Sequence, residues 1–418
     1  MLTRIDLRGV TDLAALLQPP TADDDVTAAT RAIVDDVRDR GDAALRELTE
    51  RFDGWSGGAL RVTSGALHEA LAGAEPAFRA ALAHAATEIR TYHESQLQPA
   101  PRLVRGGIDL EEIVRPVDRA GLYVPGGRAA YPSTVLMTAI PAQVAGVPEL
   151  ALCVPAGPDG QVAAPTLAAA AFVGIDEVYR VGGAQAIAAL AYGTESIRPV
   201  DVIVGPGNAY VAAAKRELAG IVGIDALAGP SEVVVVADAS TPPEFVAADL
   251  DAQAEHGPGG SAVLITWDPE VADAVEGAVD EIVRDTGSVI LVDGPEQAME
   301  VVNIVAPEHL QLMTSDADSL VPLVRNAGAV FVGPWAPAAV GDYVAGVNHV
   351  LPTARTARFA SALRVDTFRK HIHVVRVTAA GLGAVSEHIE ALAAAEGLPA
   401  HGRSAALRRS AAFVRDAT

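Results

Sequence analysis

Glu232-Val-Val-Val-Val-Ala237, Leu150-Ala-Leu-Cys-Val154 and Asp201-Val-Ile-Val204 are short runs, apolar nearly from end to end. A strand with one face in water alternates apolar and polar residues, whereas a strand without alternation is covered on both faces. Runs of the same kind occupy residues 121–125, 177–181, 262–266, 288–292 and 329–332, and segments of helical length separate them. Buried strands alternating with helices predict βαβ units with right-handed crossovers, and hence parallel sheets covered by helices. The expected fold class is α/β: two doubly wound, Rossmann-like domains with N-terminal and C-terminal helical extensions. Residues 21–122 and 232–365 are expected to form the first domain and 123–231 the second. Residues 1–20 would be an N-terminal extension and 366–418 a C-terminal tail.

With 418 residues the chain is too long for a single core. No stretch approaches the ~20 apolar residues that cross a bilayer. The window from Thr134 to Pro148 contains Pro141 and Gln143 and predicts a buried helix leading into a strand. The N-terminus mixes charge with apolar residues, unlike a secretory signal, so no membrane association and a cytoplasmic location are expected. A net charge of −22, with 31 scattered basic residues, argues against nucleic acid as a partner. Small molecules or proteins are the expected partners. Cys153 is the single cysteine. It excludes a disulfide within the chain and a cysteine-rich zinc site, so any metal must be held by His, carboxylate or amide groups.

Three glycine loops follow predicted strands: Pro125-Gly-Gly127, Gly182-Gly-Ala-Gln185 and Gly205-Pro-Gly-Asn208. Glycine lets a backbone approach a phosphate closely, and Tyr123, Gln185 and Asn208 carry groups able to bond a nucleotide. Each loop alone reads more readily as an ordinary glycine turn. Gly205-Pro-Gly-Asn-Ala-Tyr210 begins like a dinucleotide fingerprint but has Tyr where its last Gly belongs, and Asp225 follows about twenty residues on.

Gln253 and His256 are three apart at the end of a helical stretch, on one face, and could grip one ion; a polar helix terminus is the plainer reading. Pro307-Glu308-His309 has the form of a helix start. It also sets two proton acceptors side by side, with a His suited to base catalysis near neutral pH. Asp342 lies in a predicted turn between Gly341 and Tyr343, and His401 lies in the tail. His371 and His373 share a strand face without a third ligand and read as surface or interface residues.

In order and spacing, Gly121-Leu-Tyr-Val-Pro-Gly-Gly127, Tyr131-Pro-Ser-Thr134, Gly205-Pro-Gly-Asn-Ala-Tyr210, Gly229-Pro-Ser-Glu-Val233, Gln253-Ala-Glu-His-Gly257, Ala306-Pro-Glu-His-Leu310, Gly341-Asp-Tyr343 and Asn348-His-Val-Leu-Pro-Thr353 resemble the histidinol dehydrogenases. The resemblance runs from about residue 20 to the C-terminus. It implies an NAD-dependent oxidation of L-histidinol to L-histidine through bound L-histidinal. It further implies a homodimer in which Gln253, His256 and Asp342 hold one Zn2+ per subunit while His401 is supplied in trans. Glu308 and His309 would be catalytic, and Tyr123, Gln185 and Asn208 would contact NAD. Ser231, Glu396 and His349, with the metal ligands and His309, would line the substrate site. Ala362 and Arg364 stand where the family usually has Gly and Ser; Arg364 bears on substrate identity only if it faces the pocket. A related zinc- and NAD-dependent dehydrogenase acting on another small primary alcohol, such as a sulfonated diol, is the alternative.

Overall fold

The computed structural model describes residues 2–13, 24–127, 129–227, 229–255 and 260–415. The chain forms two compact units: Met1–Gln96 with Val117–Phe368, and Leu97–Pro116 with Arg369–Thr418.

The larger unit begins with β1 (Thr3–Asp6) and the helices α1 (Asp24–Arg40), α2 (Asp42–Asp53), α3 (Ser64–Gly73) and α4 (Pro76–Glu94). The chain makes β2 (Arg102–Arg105) and β3 (Ile108–Pro116) in the smaller unit before returning. Next come β4 (Arg119–Tyr123), α5 (Pro132–Ala145), β5 (Glu149–Val154), α6 (Ala164–Phe172), β6 (Val178–Arg180), α7 (Gly183–Tyr192), β7 (Val202–Val204), α8 (Ala209–Leu218) and β8 (Gly223–Ile224). These strands form a parallel sheet of order β6-β5-β4-β7-β8.

The pattern then repeats with β9 (Glu232–Ala237), α9 (Pro243–Ala254), β10 (Ser261–Thr266), α10 (Pro269–Ala278), α11 (Glu281–Thr286), β11 (Ser288–Leu291), α12 (Pro295–Val305), β12 (His309–Met313), α13 (Ala317–Leu320) and β13 (Ala329–Val332). Their parallel sheet has the order β1-β11-β10-β9-β12-β13, with β1 added at one edge. Apart from β1, in both sheets the chain starts on a central strand, steps outward on one side, and returns to the other. The order therefore reverses between β4 and β7 and between β9 and β12, and such reversals open a crevice at the strand ends.

The apolar runs are buried as their composition predicts: every residue of β4 is buried, as are Val233 to Ala237 of β9. α5 is buried through nine consecutive residues, Thr134 to Ala142, and closes on Gly146 at φ 90°, which matches the buried helix predicted there. Helices α1 and α2 pack on α7, and Leu67, Leu82 and Ile89 of α3 and α4 join the core formed with β4 and β5. These helices cover the five-stranded sheet.

Pro307-Glu308-His309 does not start a helix. Ala306, at φ 50°, closes α12, and His309 pairs with Val233 on one side and Ala329 on the other. Two flanking strands capture the segment, and that pairing outweighs the local helix-start signal. Asp342, expected in a turn, lies in the short helix α14 (Ala338–Tyr343).

In the smaller unit β14 (Arg369–Val377) pairs antiparallel with β3, which pairs with β2; α15 (Ala379–Ala395) and α16 (Pro399–Arg415) complete it. His371 Nδ1 lies 2.7 Å from Glu112 and His373 stands exposed beside it, as predicted for surface residues.

Candidate active site

Ser231 and Glu232 enter β9, and Glu308 and His309 enter the neighbouring β12, so both pairs stand at the amino ends of the central strands. The Glu308 carboxylate, 6% exposed, accepts the Ser231 hydroxyl at 2.7 Å and the Glu232 backbone N–H at 2.8 Å, both on Oε2. Burial pushes its pKa up, against the opposing pull of His309 and these two donors. His309 Nδ1 lies 3.0 Å from the Glu232 carbonyl oxygen. A carbonyl only accepts, so Nδ1 carries the proton and Nε2 is the basic nitrogen of the neutral ring. Nε2 is buried, makes no hydrogen bond among the described residues, and faces Asp342 Oδ1 at 3.5 Å. Burial would lower the imidazole, but Asp342 and Glu308 outweigh it and hold the pKa up to about 9.

Helices α9 and α14 run back towards these strand entrances, and each ends in a residue predicted for the site. Gln253 is buried in the last turn of α9, and Asp342 is half-buried in α14. Burial raises the Tyr343 phenol, and Asp342 and Glu255 both add to that rise, so the two helix ends share one electrostatic neighbourhood. Gly341 admits no side chain: a Cβ there would stand 2.6 Å from the Phe331 ring, which stacks on His309 at 6.0 Å. His256 lies outside the described residues. Glu396, at the end of α15, and His401, on α16, are exposed in the smaller unit.

The loop after α14 joins this site to the five-stranded sheet. His349 Nδ1 donates to the Asp342 carbonyl at 3.1 Å, and its Nε2 lies 3.2 Å from the Thr134 hydroxyl in the first turn of α5. Asn348 bonds the Met137 carbonyl at 2.7 Å. Since α5 follows the carboxyl end of β4, the carboxyl ends of the five-stranded sheet are tied to the amino ends of the six-stranded one.

Those carboxyl ends carry the three glycine loops. Tyr123, Gln185 and Asn208 line one cavity of about 1150 Å³, together with Gly126, Gly127 and Gly183. The Tyr123 hydroxyl accepts the Gly183 N–H at 3.0 Å, and Asn208 Oδ1 caps α8 by accepting from Tyr210 and Val211. Gly205 is obligatory, with φ 118° and the Tyr123 carbonyl 2.0 Å from where its Cβ would be.

Sequence reasoning missed the groups that brace this arrangement. Glu232 sits beside the predicted Ser231, yet its backbone serves both Glu308 and His309. Lys215, 1% exposed, reaches Asp225 at 2.6 Å and the Gly205 carbonyl at 2.5 Å, while Asp225 accepts the Gly205 N–H at 2.7 Å. Asp225, twenty residues beyond Gly205 as in a ribose-binding fingerprint, therefore holds the loop itself. A lysine amid the apolar residues of α8 was the available signal. Arg364 is exposed, and its charge acts on His93.

The histidinol dehydrogenase family profile matches residues 17–409. A histidinol dehydrogenase of Rhizobium meliloti (strain 1021) is 49% identical over 415 residues, covering 95% of each chain. One from Rhodospirillum rubrum is 51% identical over 401 residues, covering 92% of each. The crystal structure of a histidinol dehydrogenase from Elizabethkingia anophelis covers 98% of both chains with a TM-score of 0.93 at 34% identity.

Proposed function

Because this chain belongs to the histidinol dehydrogenase family, we infer that it oxidises L-histidinol to L-histidine through bound L-histidinal, the last step of histidine biosynthesis. The enzyme is an NAD-dependent oxidoreductase of this type. The observation that carries the residue assignment is the clamp on Glu308, a buried carboxylate held by Ser231 and the Glu232 N–H beside a His309 whose Nε2 is its basic nitrogen.

Bound NAD supplies the hydride acceptor for both oxidations, and a bound zinc ion the positive charge that orients the substrate. His309 Nε2 takes the alcohol proton as the first hydride leaves carbon. Glu308 then takes a proton from the water that adds to the aldehyde while protonated His309 returns its proton to the aldehyde oxygen, and the neutral His309 takes the hydrate's proton as the second hydride departs. Overall, one alcohol, one water and two NAD give one carboxylate, two NADH and three protons. A carboxylate raised by burial is a stronger base than one in water, which suits Glu308 to this work. The pull that lifts His309 comes from Asp342 before Glu308.

The donor set suits zinc in its chemistry. Gln253 offers an amide oxygen and Asp342 a carboxylate at the ends of two helices, and Cys153 is buried in β5. Among the described residues no group of three His, Cys, Asp or Glu stands together. The set of four is completed by His256 and by His401 of a second subunit, in a homodimer. Exposed apolar residues of the smaller unit support that assembly: Val104, Val375, Leu392 and Leu407 are each at least 60% exposed, as expected of a surface covered by a second copy. Ser231, His349 and the partner-supplied Glu396 would line the substrate. No helix among the described residues is long and apolar enough to cross a membrane, which is compatible with a cytoplasmic enzyme.

A dehydrogenase of sulfonated diols finds no support in these relatives. Supplying NAD with histidinol or with a sulfonated diol tests the assignment. NADH from histidinol alone is expected, and NADH from the diol alone would overturn it.

A further inference from the structure

The cavity lined by Tyr123, Gln185 and Asn208 has a fourth polar wall that no part of the foregoing account uses. Asp53, the last residue of α2, lines it, and its Oδ2 is buried with no hydrogen-bond partner among the described residues. A buried carboxylate oxygen without a donor is costly, and a ligand that brings one removes the cost. The cavity's other described carboxylate is already engaged, since Asp36 holds Arg40 at 2.6 and 2.7 Å. Arg51 lies over the Phe52 ring at 5.0 Å, and the Tyr123 hydroxyl oxygen accepts the Gly183 N–H.

The position of Asp53 is as telling as its vacancy. In dinucleotide-binding sheets of this winding, an acidic side chain some twenty residues past the first glycine loop commonly accepts a ribose hydroxyl. Here that region holds the end of β5, next to β4, and the cavity meets Pro155, Ala156, Gly157 and Pro158. The acid of that loop, Asp159, accepts the Gln161 N–H at 3.0 Å and does not line the cavity. The end of α2 rests on the same loop: a Cβ on Gly54 would touch Pro158 Cβ at 3.6 Å. A carboxylate is thus returned to the acid-free strand end by a helix far upstream.

We propose that Asp53 accepts a hydroxyl of the adenosine ribose of the bound dinucleotide and that its charge repels a 2′-phosphate, so that it selects NAD over NADP. This inference rests on the reading that the cavity holds NAD. Burial raises the Asp53 carboxyl to about 6, which leaves it charged at neutral pH.

The test compares kcat/KM for NAD and NADP, with histidinol saturating, in the wild type, Asp53→Asn, Asp53→Ser and Gln185→Ala. Both Asp53 variants are expected to shift the NADP-to-NAD ratio at least tenfold towards NADP, chiefly through KM. Ratios within twofold of wild type, while Gln185→Ala raises the KM for NAD fivefold or more, would overturn the role of Asp53 and leave the cavity as the NAD site. Unchanged KM for NAD in all three variants would remove both. Should the Asp53 variants not fold, the wild type decides: ADP is expected to compete with NAD at least tenfold more tightly than adenosine 2′,5′-bisphosphate, and equal competition would overturn the proposal.

Discussion

Glu308 and Ser231 meet across two parallel strands, with the serine hydroxyl donating to Glu308 Oε2 at 2.7 Å. The Glu232 N–H fills the same oxygen, so the carboxylate is fixed by the entrance to β9 instead of by its own strand. Its orientation therefore depends on the β9–β12 pairing and on one side-chain hydroxyl.

Glu308→Gln is predicted to cripple the oxidation of supplied histidinal, by roughly 10²- to 10⁴-fold, while slowing the first hydride transfer from histidinol much less. Single-turnover absorbance traces started from the alcohol and from the aldehyde separate the two. Equal losses in both half-reactions would remove Glu308 from water activation.

Lys215 and Asp225 form a buried pair that holds the Gly205 loop from beneath. Asp225→Ala leaves the Lys215 ammonium without its carboxylate and should cost about 3 kcal/mol of stability, together with a higher KM for NAD as Asn208 loses its seat. Urea unfolding and NAD titration measure the two effects. A stable variant with unaltered KM would show that the pair does not position the loop.

Asp53 ties cofactor binding to stability through pH. Burial holds its folded pKa at about 6, above the ordinary 3.8 of an exposed aspartate. The favourable contribution is present in full below the unfolded pKa and is lost as pH rises through about 6. At pH 8 the ligand-free wild type therefore carries the penalty of a buried charge, roughly 1–2 kcal/mol after allowing for partial exposure. Asp53→Asn should melt higher than wild type at pH 8, with the gap closing towards pH 4. A gap independent of pH would mean that the gain comes from something other than the charge.

The assignment of His401 to the second subunit predicts complementation. Mixing inactive His401→Ala and His256→Ala subunits to equal exchange yields heterodimers in half the population, each with one intact site, or roughly a quarter of wild-type activity. Labelling one variant uniformly with 15N and weighing the intact dimers verifies exchange, because the heterodimer then has its own mass. No recovery after verified exchange would place His401 outside the partner's site.

The sequence was most legible where local chemistry and fold agree. Val233 to Ala237 read as a buried strand because nothing in the run is polar, and the loops bearing Tyr123, Gln185 and Asn208 were recognisable as glycine turns after such strands. Their convergence on one cavity was not, because it follows from the strand order β6-β5-β4-β7-β8. β12 was misread because Pro307-Glu308 imitates a helix start and only the pairing to Val233 and Ala329 decides otherwise. Asp53 carried no signal at all, since a carboxylate at a helix end is ordinary until the helix is seen resting beside an acid-free strand end.

The most direct measurement of the central claim is the ratio of products when purified, zinc-loaded enzyme turns over L-histidinol with excess NAD. Two NADH per L-histidine, with no histidinal trapped from solution by an aldehyde reagent, is the predicted result. One NADH per histidinol with free histidinal accumulating, or no NADH at all, would contradict a single site that carries out both oxidations.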